Sequence, residues 1–100
     1  MRVMLRAHIH TQAGNEATKA GAMPQAMKKL MDRVKPEAAY FGPSEGVRSC
    51  WIVFDMKDSA EMPPLLEGLF GDLNAEIEIS PVMNADDLAK GLSQLESARR

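Results

Sequence analysis

The sequence predicts an α+β sandwich of order β-α-β-β-α-β with an extra C-terminal helix, and three features of its 100 residues carry that expectation. Two stretches, Met1 to His10 and Ala75 to Ser80, alternate apolar and polar residues with the period of a half-buried strand. Three others repeat apolar residues at helical spacing. Between them, Gly42-Pro43-Ser44-Glu45-Gly46 is turn chemistry set inside a pair of β-favouring runs. A chain of this length suits one domain, residues 1–100, and is too short for two independent cores.

The first strand sets Val3, Leu5, Ala7 and Ile9 against Met4, Arg6, His8 and His10. A long helix is then expected from Asn15 to Val34, where Met23, Met27, Leu30, Met31 and Val34 share a face. Asn15 is a competent N-cap, Lys35-Pro36 a stop, and Pro24 either a kink or the true start. Ala38 to Phe41 and Val47 to Met56 read as a hairpin. Asp58 or Ser59 caps a second helix carrying Leu65, Leu66, Leu69, Phe70 and Leu73, with a ragged start near Met62 because Pro63-Pro64 suits only a first turn. Ala75, Ile77 and Ile79 alternate with Glu76, Glu78 and Ser80 as the fourth strand, ended by Pro81. Asn84, followed three residues later by Asp87, opens a last helix with Leu88, Leu92 and Leu95 on one side.

Two strands joined through a helix run parallel with a right-handed crossover, and the third strand fits between them. The expected sheet order is therefore 4-1-3-2, the ferredoxin-like arrangement, with both main helices on one face. That face takes Val3, Leu5, Ala7, Ile9, Cys50, Ile52, Phe54, Ile77 and Ile79. The other receives Met4, Arg6, His8 and His10, then Ser49, Trp51, Val53 and Asp55, and finally Glu76 and Glu78. Arg6 and His8 should stand across from Glu78 and Glu76, with Trp51 on the other flank. An open face in water is one possibility for an antiparallel sheet. An indole at its centre argues for cover, and a second copy of the chain is the simplest one.

Lys35-Pro-Glu-Ala-Ala-Tyr-Phe41, Gly46-Val-Arg48, Val53-Phe-Asp-Met56 and Ser80-Pro-Val-Met83 with Asp86-Asp-Leu88 stand in this order. Together they resemble an uncharacterised bacterial family of the dimeric α+β barrel superfamily. The resemblance implies a ferredoxin-like protomer whose sheet faces its partner's, enclosing a cavity. It also implies relatives among cofactor-free isomerases, small monooxygenases and haem-degrading enzymes. The haem-degrading pattern resembles an Asn, Trp, His trio. Trp51 and His8 or His10 fill two places, but Asn15 falls at a helix cap and leaves the third empty.

The residues themselves name a candidate site and several exclusions. His8 is the candidate general acid or base, since imidazole changes charge near neutral pH. Arg6, His10, Trp51, Glu76 and Glu78 are the candidate ligand-binding residues, Arg6 as a fixed fork of donors for an anion. The plainer alternative makes Arg6, Glu76 and Glu78 interstrand ion pairs. His8 and His10 have strand spacing that could serve a metal, yet no His-Glu-x-x-His, Cys-x-x-Cys or EF-hand pattern accompanies them, so neither metal nor cofactor is expected. A formal net charge of −2 offers no basic field to nucleic acid. The sequence has no run long enough to span a bilayer, Met1 to His10 has no apolar stretch of signal-peptide length followed by a small-residue cleavage site, and the single cysteine can form no intrachain disulfide, so a cytoplasmic setting is expected. Two classes of function remain. One is a homodimer that binds a small anionic or aromatic metabolite in its cavity, with or without catalysis. The other is a non-catalytic assembly module.

Overall fold

The computed structural model describes residues 1–99. Its elements are β1 (Arg2–Ile9), α1 (Thr11–Lys19), α2 (Ala22–Val34), β2 (Ala38–Ser44), β3 (Val47–Asp55), α3 (Met62–Leu73), β4 (Ala75–Pro81) and α4 (Ala85–Ala98), with a 3₁₀ turn at Ser59–Glu61 before α3. The four strands form one antiparallel sheet of order β2-β3-β1-β4, the expected 4-1-3-2 of a ferredoxin-like unit.

Strand alternation fixes the layers. Val3, Leu5, Ala7 and Ile9 are buried in β1, and Cys50, Ile52 and Phe54 are buried beside them in β3, all facing the helices. Leu30 of α2 and Leu65, Leu69 and Leu73 of α3 close this core from above. Ile77 and Ile79 of β4 are only half-buried at its margin. Phe70, on the expected stripe of α3, is 42% exposed and stands outside it.

The first helix departs from expectation. It begins at Thr11 with His10 as N-cap rather than at Asn15, and Gly21 splits it from α2. The side of α1 turned to the sheet is made of Gly14 and Ala17, two small residues that carry no apolar signal. Gly14 lies beneath Arg48: a Cβ there would stand 2.7 Å from Nη1, at the movable end of that side chain. Gly21 has φ +74°, the left-handed conformation that breaks a helix at least cost in glycine. Pro24 falls in the first turn of α2, where its missing N–H has no partner to lose.

The hairpin is also tighter than its composition suggests. β2 continues through Gly42, Pro43 and Ser44, leaving Glu45 and Gly46 as a two-residue turn. Both have positive φ, 55° and 81°, which is what a primed turn between twisted strands requires. Pro43 is tolerated because β2 is an edge strand.

Asp58 caps the 3₁₀ turn and Asn84 caps α4, each with a reciprocal capping box. Arg2 donates to Glu37 (2.7 Å) and to Asp87 in the first turn of α4. Beyond that anchor no residue of α4 is buried. No helix among the described residues is long and apolar enough to cross a membrane.

Cys50 is 3% exposed, and burial pushes its thiol upward, opposed in part by a hydrogen bond with the Ala7 backbone. A thiol reagent is expected to label it only after denaturant is added. Stoichiometric labelling of the native protein within minutes would contradict the packing of β3 beneath the helices.

Candidate functional site

The sheet face without helices is organised in cross-strand rows. One row runs Glu78, Arg6, Trp51, Tyr40, and the next runs Glu76, His8, Ser49, Gly42. Five of the predicted site residues, Arg6, His8, Trp51, Glu76 and Glu78, thus share one face, with Arg6 opposite both Glu78 and Trp51 and with His8 opposite Glu76. Tyr40 extends the aromatic part of the row and is 69% exposed.

Register alone leaves the contacts open, and here they diverge. Arg6 makes no ion pair with Glu78 or with any other carboxylate among the described residues. Its only side-chain hydrogen bond among the described residues, from Nη2 to Oγ of Ser44, is a long 3.5 Å, and its Nε is buried without a partner. An arginine keeps its charge and five donors under all ordinary conditions, so an unsatisfied buried donor calls for an acceptor from elsewhere.

His8 is held differently. Its Nδ1 lies 2.8 Å from Oγ of Ser49, and its side chain is 15% exposed. The Ser49 hydroxyl has backbone carbonyls at 3.1 Å (Val47) and 3.5 Å (Ser44), natural acceptors for its single proton. Ser49 then accepts from Nδ1–H, which leaves the lone pair of a neutral His8 on Nε2. Oε2 of Glu45 stands 4.0 Å from that Nε2. For Ser44 to meet Arg6, and Glu45 to approach His8, the tip of the β2–β3 hairpin must curl over this end of the sheet. That curl also accounts for Ser49, buried on a face that no helix covers.

His10 and Glu76 pair with each other instead, Nε2 to Oε1 at 3.2 Å, both well exposed at the β4 side. His10 lies just outside β1, at the cap of α1. Each histidine therefore has its own partner, and among the described residues no three potential ligands gather as a metal site. Ser44 and Glu45 were missed as site residues because their approach depends on the curl of the hairpin. The Glu45-Gly46 pair was the one local sign of so tight a turn.

Four clefts of the chain lie elsewhere: between α2 and α3, at Arg2 and Asp87, beside Lys35 and Lys57, and between α1–α2 and the hairpin. None of these four includes Arg6, His8 or Trp51. A sheet face is one wall, and a cavity over it needs a second.

The comparisons speak to family and say nothing of chemistry. A family described as "Domain of unknown function (DUF3303)" matches residues 1–96. No curated protein matches. Among solved structures, the chain is similar to one titled "De novo designed protein Ferredog-Diesel", at TM-score 0.48 and 10% identity, over 81% of this chain and 85% of that one.

Proposed function

We propose, for a chain that belongs to the DUF3303 family, that it works in the cytoplasm as a homodimer of the α+β barrel type. Its two uncovered sheet faces meet and bind a small anionic, preferably aromatic, metabolite between them. The observation that carries this reading is Arg6, a guanidinium with no carboxylate partner among the described residues, whose Nε is buried and unsatisfied there. A carboxylate is the natural mate of its planar fork. Trp51 and Tyr40 in the same row offer flat apolar surface to a ring, His8 presents its Nε2 beside them, and His10, Glu76 and Glu78 border the site on the β4 side.

Benzoate serves as the probe, followed by tryptophan fluorescence and histidine resonances. Arg6→Ala is expected to weaken it about tenfold or more, the worth of one hydrogen bond to a charged group. His8→Ala is expected to remove the histidine response while the melting temperature stays within a few degrees. If benzoate moves neither signal in wild-type protein, or Arg6→Ala lowers stability and leaves binding unchanged, these residues are structural pairs and the reading fails.

A second reading is favoured by the Ser49 hydrogen bond. With Nδ1 occupied, His8 presents Nε2 to the ligand space and is suited to act as a cofactor-independent general acid or base.

A further inference from the structure

Helix α4 is a defined element whose apolar side nothing among the described residues covers. The Asn84–Asp87 capping box closes its N-terminus, and Asp87 also accepts from Arg2, so its direction is set where it leaves the sheet. An isolated helix of 14 residues is marginal in water and depends on packing of an apolar face. Leu88, Leu92 and Leu95 supply that face at i, i+4 and i+7, yet they are 46%, 55% and 47% exposed.

The same chain carries an unfilled apolar groove of about 550 Å³ between α1–α2 and the β2–β3 hairpin. Its walls include Ile9, Met23, Met27, Phe41 and Val47, and Phe41 is 59% exposed. An amphipathic helix laid in such a groove anchors itself at the spacing of the three leucines, and methionines adapt to what they receive. Arg48 stands at the rim, tied to Asn15 at 3.0 Å, and Glu96, next to Leu95, offers the opposite charge.

The helix does not fill its own groove. Its root is fixed by Arg2 at one end of β1, while the groove opens at Ile9, ~23 Å away at the other end. α4 leads outward instead, so the longest dimension is 59 Å and the radius of gyration 16.2 Å, against about 13 Å for a compact chain of this length. A second copy resolves the mismatch. When two uncovered faces meet about a two-fold axis running across the strands, the root of α4 in one copy lies at the Ile9 end of the other, and the helix reaches the groove, which is on the helix-covered side, by passing round that end of the sheet. Symmetry then makes the contact twice.

We infer that α4 is an arm exchanged between two copies of the chain, its leucines seated in the partner's groove at Met27 and Phe41. This rests on the face-to-face homodimer proposed above. The test mixes a Leu92→Cys chain with a Phe41→Cys chain, both on a Cys50→Ala background, under mild oxidation. Both sites are exposed, so folding is preserved. A disulfide-linked heterodimer is expected, forming at least tenfold faster than when Lys90→Cys replaces Leu92→Cys. Two outcomes overturn the exchange and leave the dimer standing: Leu92→Cys chains linking chiefly to one another, or no link in a solution that light scattering shows to be dimeric. Monomeric wild-type protein at the same concentration overturns both.

Discussion

Trp51→Glu is expected to reduce the particle in solution to the mass of one chain while the far-ultraviolet circular dichroism stays that of the wild type. Trp51 is at the centre of the uncovered face, cross-strand from Arg6 on one side and Tyr40 on the other. In a face-to-face dimer it is the large aromatic anchor of the interface, and loss of such an anchor costs about 2–4 kcal/mol of association. The new carboxylate adds a desolvation penalty of several kcal/mol when the faces close. Together these weaken dimerisation roughly a thousandfold or more. Within one chain the change is mild, because Arg6 has no carboxylate partner among the described residues and stands directly opposite. Sedimentation across micromolar concentrations decides the matter. A variant that stays dimeric there removes the sheet-to-sheet interface.

The second large effect falls on the other face. Phe54→Ala is expected to lower the free energy of unfolding by about 3–5 kcal/mol, the usual result of emptying a core aromatic site. Phe54 is 2% exposed and pairs with Val3, itself fully buried. Total stability for a domain of this kind is about 5–15 kcal/mol, so the variant sits near the edge of folding. Phe70→Ala, at a residue 42% exposed on the same apolar stripe as Leu66 and Leu69, is expected to cost under about 1 kcal/mol. Urea titration of the two variants separates them. Equal losses would mean that the α3 stripe packs differently from this arrangement.

The contrast between these phenylalanines shows where sequence ceases to inform. Strand period two is a strict rule, so Arg6, His8 and Trp51 fell on one face and Leu5 and Phe54 on the other. The register that set Arg6 opposite Glu78 followed from topology. What Arg6 then touches did not follow, since a long side chain chooses among neighbours by the curvature of the sheet. α1 was half hidden because Gly14 and Ala17 meet the sheet through their lack of bulk, and Asn15, legible as a cap, serves within the helix as acceptor for Arg48. Gly42-Pro43 read as a loop because its residue types favour turns, whereas an edge strand accepts both. The Asn84–Asp87 box was legible because capping is local. That its leucines would stand uncovered was not, since cover is a property of the whole molecule.

The central place of β1 also has a bearing on synthesis. β1 is made before either of its partners: it pairs with β3 on one side and with β4 on the other, and Val3 completes its ladder only with Pro81. Folding that depends on such distant pairs is slow, and it exposes strand edges while it waits. A nascent chain stopped anywhere before β4 carries β1 with one side unpaired, so the sheet closes only once β4 has been made.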